Sequence, residues 1–521
     1  MSEEPQIVLS PVEQRVEVWR GRVGILLAPL LFGYVLTIQG WEIPVEAQRL
    51  AAVMVAVVIL WITEPIPMSV SALLGACLCV ILKVADVKTV FSPFADPLIF
   101  LFIGAFILAR GIFIHQLDKR LAYWVLSRKI VGASPSRILF AYGAVTAFLS
   151  GWISNTATTA MMFAIGLSLL KFLEDHSRST GIKLNPKYAT GMMLMTSFSA
   201  SIGGLATPIG TPPNLIGMGF LKAELGISIS FFQWCLFGMP LVAVLYVCLF
   251  TYMNWCCPAG VSKLEGCEEM LQSKSRELGG WTSGQISTVI AFGLTIVCWI
   301  VPGIVSLLEQ SDLGWYRNLV AGWPLSPLEL VKRIPESVAA LLGAVALFLL
   351  PGNQQGKAMS WKEAEKIDWG VILIYGGGYT LGVLSEKTGL GTAIGQQFTT
   401  MIPGASPLGL LIICSVVAIL ISETTSNTAA VTIVVPVVIA LAKGAGLDPV
   451  IPALGATLAG SLGFMLPVST PCNAIVYGSG YIPISRMIRY GFLLDMIGLI
   501  VIVATVRLLV PLSGIAMTAA P

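Results

Sequence analysis

Ser150 stands four residues before Ser154-Asn155-Thr156, and Ser422 stands four residues before Ser426-Asn427-Thr428. Both groups lie inside apolar stretches, so their hydroxyls, carboxamides and any freed backbone carbonyls are the hard donors available there. At a turn between two helices such residues present hydroxyls and amide donors, while the following helix opens with unpaired N–H groups and the positive end of its dipole. That combination binds a carboxylate without a fixed cation. Two such turns facing each other would hold two carboxylates of one molecule, or one compact divalent oxyanion. The carbonyls freed at each turn, with the Ser150 or Ser422 hydroxyl one helical turn earlier, offer uncharged oxygen cages that suit sodium better than a transition metal.

A second element repeats behind each cluster. Thr207-Pro208-Ile209-Gly210-Thr211-Pro212-Pro213-Asn214 aligns with Leu466-Pro467-Val468-Ser469-Thr470-Pro471-Cys472-Asn473. Proline at mid-membrane breaks the helical ladder and frees carbonyls, so these segments supply another wall of the site. A lone Ser-Asn-Thr reads as an interhelical hydrogen-bonding patch, and a lone Thr-Pro as a tolerated kink. Recurrence of both in the same order favours one site built from two related halves, as in secondary transporters.

The elements around these motifs must be membrane helices. Hydrophobic residues make up 56% of the 521 and charged residues only 11%, against about 25% charged in a soluble domain; mean hydropathy is +0.84. Long apolar runs fall near 24–41, 51–62, 98–114, 229–253, 286–307, 337–350, 408–421 and 492–511, approaching the roughly 20 residues a span needs. Shorter or Gly/Pro-broken runs fall near 68–82, 138–153, 156–172, 189–206, 212–220, 370–384, 427–442 and 451–466. The expectation is an all-α polytopic membrane protein of about eleven spans plus two re-entrant hairpins. The hairpin limbs are 138–153 with 156–172 and 408–425 with 427–442, read as too short to cross, with the Ser-Asn-Thr clusters at their tips. The N-terminal Glu3, Glu4, Glu13, Arg15, Glu17, Arg20 and Arg22 precede the first span without the pattern of a cleaved secretory signal.

Charge placement orients the chain. Lys119, Arg120, Arg128, Lys129 and Arg137 crowd one connection and Lys171, Arg178, Lys183 and Lys187 another, marking both as cytoplasmic. Residues 117–130 read as an amphipathic interfacial helix. The polar stretch 254–285 reads as the linker between halves, Gly352–Asp368 as a second polar interval, and Tyr375-Gly376-Gly377-Gly378-Tyr379 as close helix packing or a local break. Glu64 and Asp96 read as helix caps, and Glu423 as an acceptor that fixes the second hairpin or as a proton-linked group.

Several chemistries are excluded. The ten cysteines have no C-x-x-C spacing and read as free thiols. His115 and His176 are the only histidines, too few for a histidine metal cluster or an imidazole proton relay and not placed for a Ser-His nucleophile. No cofactor and no nucleic-acid partner are expected, and a channel would want a continuous polar pore.

These motifs resemble the divalent anion/sodium symporter family. The resemblance runs through Trp61-Ile62-Thr63-Glu64-Pro65-Ile66-Pro67, Ile99-Phe100-Leu101-Phe102-Ile103-Gly104, Ser154-Asn155-Thr156-Ala157-Thr158-Thr159-Ala160, Ile209-Gly210-Thr211-Pro212-Pro213-Asn214 and Thr425-Ser426-Asn427-Thr428, and covers nearly the whole chain. It implies a carrier of C4-dicarboxylates such as succinate, malate and fumarate, coupled to sodium ions. The family also includes sodium-independent exchangers and carriers of citrate or sulfate. By resemblance, Ser154, Asn155, Thr156, Ser426, Asn427 and Thr428 contact substrate, walled by Thr211, Pro212, Thr470 and Pro471. One sodium site would use Ser150, Ser154, Asn155 and Gly210, and the other Ser422, Ser426, Asn427 and Ser469. Ser469 and Cys472 depart from the Gly or Ala and the Pro that relatives often carry. The resemblance further implies inverted repeats and a homodimer in the inner (cytoplasmic) membrane, with lipid around it. Its scaffold would comprise 1–130 and 281–390, and its transport domain, 131–280 and 391–521, would move as an elevator.

Overall fold

The computed structural model of the protein describes residues 11–41, 43–180, 185–310, 331, 333–353, 356–401 and 406–515. Glu3, Glu4 and Lys183 of the charged segments named above lie outside the described residues. Among the described residues the chain is helical, and its one extended pairing is an isolated bridge between Pro351 and Lys357. Nine of the described helices are long and apolar enough to cross a membrane, and Met68–Ile81, Glu336–Leu349 and Val450–Ala459 are shorter apolar helices. The all-α polytopic class follows from composition as expected.

Both clusters sit at helix-to-helix turns. Pro135–Ser150 runs into Asn155–Thr180, and Pro407–Thr424 into Asn427–Gly444. The first pair is antiparallel: the Tyr142 hydroxyl donates to the Met162 carbonyl, ten residues either side of Trp152. Three of the four limbs reach the length of a span. Asn155–Thr180 has 26 residues, and Asn155–His176, Pro407–Thr424 and Asn427–Gly444 all meet the length and composition of a span. The expectation that the limbs are too short to cross is corrected for these three, while Pro135–Ser150 has 16 residues and stays below that length; Asn155–Thr180 is the longest because its helix continues through Lys171, Glu174 and Asp175 where hydropathy has already fallen.

Other elements shift in the same way. The apolar run 451–466 is helical only through Ala459 and then opens into an irregular segment up to Thr470. The amphipathic helix spans Leu117–Leu126 and stops short of 130; beyond it Arg128 lies over the exposed Trp124 ring at 4.1 Å. The expected linker 254–285 carries its own helix, Cys267–Glu277, which packs on Leu117–Leu126. The Gly376-Gly377-Gly378 run lies inside the unbroken helix Trp369–Thr388. A Cβ on Gly377 would come within 2.6 Å of Ala72, so these glycines serve close packing rather than a break.

Glu64 takes the left-handed C-cap position after Val45–Thr63 and pairs with Arg20 at 3.5 Å. Asp96 N-caps Pro97–Ile114, accepting from the Leu98 N–H. It also receives Lys222 Nζ at 2.7 Å and the Tyr375 hydroxyl at 3.3 Å.

The repeats interlock. The second half's Pro471–Tyr477 packs on Asn155–Thr180 and Pro186–Gly203 of the first, while the first half's Pro212–Leu225 packs on Asn427–Gly444 and Val450–Ala459 of the second. Each helix that follows a broken loop thereby reaches the other half's hairpin, while the loop itself stays against the hairpin of its own half.

Candidate anion and sodium site

The first cluster is built by two chain breaks meeting. Helix Pro186–Gly203 ends at Gly203-Gly204, close against the Ala147 backbone of the hairpin. The loop 204–211 then folds back so that the Thr207 hydroxyl donates to the Gly151 carbonyl at 2.5 Å. The Asn155 carboxamide is surrounded by Ser150 Oγ, Ala200 O and Gly210 O at 2.7, 3.2 and 3.3 Å. With its nitrogen on that side it donates to all three; with its oxygen there, four oxygens converge, the uncharged donor set a small alkali cation takes. A side chain at Gly210 would meet the Gly204 carbonyl at 2.6 Å, so glycine is required by the close approach.

The second cluster repeats this plan with one exchange. Ser422 Oγ lies 2.8 Å from both Asn427 Oδ1 and the Gly460 carbonyl, and Asn427 Nδ2 donates to the Ser461 carbonyl at 3.1 Å. A Cβ on Gly463 would lie 3.2–3.3 Å from Asn427 Oδ1, Ser422 Oγ and Ser469 Cβ, which brings those three residues together. The positions occupied by Gly151 and Gly210 in the first repeat hold Glu423 and Ser469 in the second, and these bond to each other. Ser469 Oγ donates to Glu423 Oε2 at 2.6 Å or to the Glu423 carbonyl at 3.0 Å. Glu423 also accepts from Met465 N at 2.8 Å and Leu466 N at 3.2 Å. The Ser469 hydroxyl is therefore committed to Glu423, leaving its backbone carbonyl for the cluster. Asp495, fully buried on Ile484–Leu509, sets its carboxyl against that of Glu423.

The other expected site residues stand at the helix starts. Ser154 and Ser426 cap their own helices, accepting from Ala157 N at 3.3 Å and Ala429 N at 3.2 Å. Thr156 is exposed and Thr428 half-buried at the first turn of each helix. Thr211 and Thr470 are buried N-cap residues, with Pro212 and Pro471 opening the next helices; the Thr470 hydroxyl accepts from Asn473 N, and Thr211 makes no side-chain cap bond.

Two asparagines have a role the motif alone did not assign. Asn214 Nδ2 donates to the carbonyls of Gly204 and Thr207 at 2.9 and 2.8 Å. Asn473 Nδ2 donates to those of Gly463 and Leu466 at 2.8 and 2.9 Å, the equivalent positions of the other repeat. Each clips its broken loop shut. Asn473 Oδ1 also accepts from Ser197 Oγ at 2.5 Å, tying the second loop to the first half. The recurrence of Asn at the end of both Thr-Pro-x-Asn segments was the available signal.

Among the described residues no group of three His, Cys, Asp or Glu side chains could hold a metal ion. A cavity of about 280 Å³ lies away from the clusters, between Pro97–Leu101 and Pro335–Ser337, with Lys222 and Glu336 in its wall.

Two oxygen-rich clusters, each a helix turn closed by a broken loop and carried by interlocked repeats in a helical membrane protein, define a secondary transporter rather than an enzyme. Residues 23–512 match the family model described as the sodium:sulfate symporter transmembrane region. The chain belongs to that family, the divalent anion/sodium symporters, and is a multi-pass membrane protein. It is 31% identical over 495 residues to the sodium-dependent dicarboxylate transporter SdcS of Staphylococcus saprophyticus, covering 94% of this chain and 91% of the relative. SdcS of Staphylococcus aureus is 30% identical over 499 residues, with the same coverages. Among solved structures, the Alcanivorax borkumensis YdaH transporter matches with a TM-score of 0.53 at 13% identity over 96% of this chain and 98% of that one. Neisseria gonorrhoeae MtrF matches at 0.52 and 13% identity over 83% and 85%. At that identity the likeness concerns the fold alone.

Proposed function

We propose that the protein carries C4-dicarboxylates together with sodium ions across the cytoplasmic membrane. The observation that carries this reading is the convergence of Ser150, Ala200, Gly210 and Asn155 oxygens in one repeat and its counterpart at Ser422, Asn427, Gly463 and Ser469 in the other. Each cluster takes a cation. Thr156 and Thr428, with the helix N-termini that follow, take one carboxylate each. The sodium-dependent dicarboxylate transporters among the relatives support the choice of ions.

Movement of the site follows an elevator pattern in this reading, with a homodimeric scaffold. Packing supports the division at 130, 280 and 390: Pro97–Ile114 pairs with Glu336–Leu349 and Met68–Ile81 with Trp369–Thr388, while both hairpins pack with Pro186–Gly203, Pro471–Tyr477, Val450–Ala459 or Ile484–Leu509. A divalent anion with two sodium ions is neutral, and a third ion lets the membrane potential contribute about 2.3 kcal/mol per 100 mV. Electrogenic uptake is the expectation.

The test is uptake of labelled succinate into proteoliposomes with an inward sodium gradient, competed by citrate and by sulfate. Sodium-driven uptake competed by fumarate and malate supports the proposal. Uptake unchanged when choline replaces sodium on both sides points to an exchanger. Preferential inhibition by sulfate would instead favour a sulfate carrier, the reading that the name of the matching family model supports.

A further inference from the structure

The expected scaffold carries a repeat of its own. Ile66-Pro67-Met68-Ser69-Val70-Ser71-Ala72-Leu73-Leu74-Gly75-Ala76 matches Ile334-Pro335-Glu336-Ser337-Val338-Ala339-Ala340-Leu341-Leu342-Gly343-Ala344 except at Met68/Glu336 and Ser71/Ala339. Each copy opens a helix behind its proline, Met68–Ile81 and Glu336–Leu349. Each is also held by an indole: Trp61 Nε1 donates to the Met68 carbonyl at 3.1 Å and Trp299 Nε1 to the Glu336 carbonyl at 2.9 Å. The side chains meet different things. Met68 packs against two separate apolar cores, and its sulfur accepts from Ser426 Oγ, at the tip of the second hairpin, at 3.7 Å. Glu336 instead accepts from Phe231 N at 2.6 Å, and the cavity of about 280 Å³ opens beside it. The tip of the first hairpin stands one ring away: Trp152 stacks on Phe231 at 6.3 Å, and Phe231 on Trp299 at 4.6 Å. The hairpins match their surroundings. Ser426 is half-buried, whereas Ser154 is exposed, accepts from Ala157 N, and donates to no side chain or carbonyl among the described residues.

We propose that these two turns are alternate seats for the two hairpins: Met68 holds the second hairpin through Ser426 in this structure, and Glu336 receives Ser154 of the first hairpin once the clusters have slid. Repeats related by a pseudo-two-fold axis exchange roles between the two states of such a carrier, so equivalent turns take equivalent tips in turn. Both hairpins belong to one body, so one seat fills as the other empties, and the cavity beside Glu336 is the empty one. The seats differ in strength. A thioether is a weak acceptor, whereas a carboxylate accepts a hydroxyl in a charge-assisted bond. Leaving Met68 also frees the Ser426 hydroxyl for the second cluster, which links the movement to what that cluster holds.

The inference rests on the sliding reading, and the experiment separates the two. Reconstituted full-length protein carrying Met68→Cys with Ser426→Cys, or Glu336→Cys with Ser154→Cys, is treated with a short bifunctional thiosulfonate across a series of sodium and succinate concentrations. Joined peptides are identified by mass spectrometry, with each single variant as control. Both pairs should join, although only the first is in contact here. A second readout needs no crosslink: the modification rate of Leu98→Cys, in the cavity wall, by a membrane-impermeant thiol reagent is measured in the background of Ser154→Ala, of Glu336→Ala and of both. Here Ser154 and Glu336 bond to different partners, Ala157 N and Phe231 N, so effects confined to this state would add. Because the two meet in the other state, the rates should depart from additivity about 3- to 10-fold, the effect of one hydrogen bond. Absence of the second crosslink where the first forms, or additive effects in the paired variants, would overturn the inference. Leu98→Cys modification that sodium, succinate and membrane voltage all leave unchanged, in protein that takes up succinate, would instead overturn the sliding reading itself.

Discussion

Replacing Asn473 with alanine removes the clip that holds the second broken loop. Its side chain makes three hydrogen bonds, to the carbonyls of Gly463 and Leu466 and from the hydroxyl of Ser197, and it is fully buried. A neutral buried hydrogen bond contributes about 1 kcal/mol net, and a buried partner left bare costs about 1–3 kcal/mol. The expected loss is therefore about 3–5 kcal/mol of loop order. Asn214 makes two such bonds and its Oδ1 has no partner among the described residues, so Asn214→Ala should cost about 1 kcal/mol less. Because Gly463 and Ser469 stand beside Asn427, and Gly210 beside Asn155, loop order must be restored by the cation itself when the clip is gone. Each 1.4 kcal/mol so diverted is a tenfold loss of affinity. The assay is succinate uptake by reconstituted protein across a sodium series, with melting temperature in detergent measured on the same preparations. Asn473→Ala should raise half-saturating sodium by about tenfold or more and lower the melting temperature, with Asn214→Ala smaller in both. Half-saturating sodium within about twofold of wild type in both variants would refute the view that these loops are cation walls held by their asparagines.

Thr156→Ala and Thr428→Ala should each raise half-saturating succinate about 10-fold or more, since a hydrogen bond to a charged group contributes about 1.5–3 kcal/mol; uptake curves across succinate check this. Gly210→Ala should abolish sodium-driven uptake while the protein still inserts, because its Cβ would stand 2.6 Å from the Gly204 carbonyl; a conducting variant would show that the loop is slack. Lys222 pairs with Asp96 at 2.7 Å between the helix that follows the first loop and a helix of the expected scaffold. A short bifunctional thiol reagent joining Lys222→Cys to Asp96→Cys should therefore stop uptake and spare equilibrium succinate binding; uptake that survives complete crosslinking rules out sliding of those two helices.

The site was legible because the sequence carries it twice. Ser150 and Ser422, the paired Ser-Asn-Thr triplets and the paired Thr-Pro segments keep the same order, and the folded chain brings Ser150, Asn155 and Gly210 together as it does Ser422, Asn427 and Ser469. Helix ends were less legible, because hydropathy reports where a chain is dry and not where it is helical. Asn155–Thr180 therefore outruns its apolar stretch, and the equally apolar 460–466 is not helix, its carbonyls being taken by Ser422, Asn427 and Asn473. Leu390–Met401, rich in Gly, Thr and Gln, gave no apolar run, although it packs closely on Asn427–Gly444. The Glu423–Ser469 bond was readable in principle: both positions are glycine in the first repeat and both are polar in the second. What no spacing could show was which carbonyls Asn214 and Asn473 close upon, since that is set by how the loops fold back.

Sodium dependence of substrate binding at equilibrium is the direct consequence of one site built from two cation clusters. Labelled succinate titrated onto purified protein should bind saturably in sodium and weaken by at least about tenfold in choline, with succinate tightening sodium binding by the same factor. Asn155→Ala and Asn427→Ala should each remove that coupling. Succinate binding of equal affinity with and without sodium, or coupling intact in both asparagine variants, would contradict a single site built from the two repeated clusters.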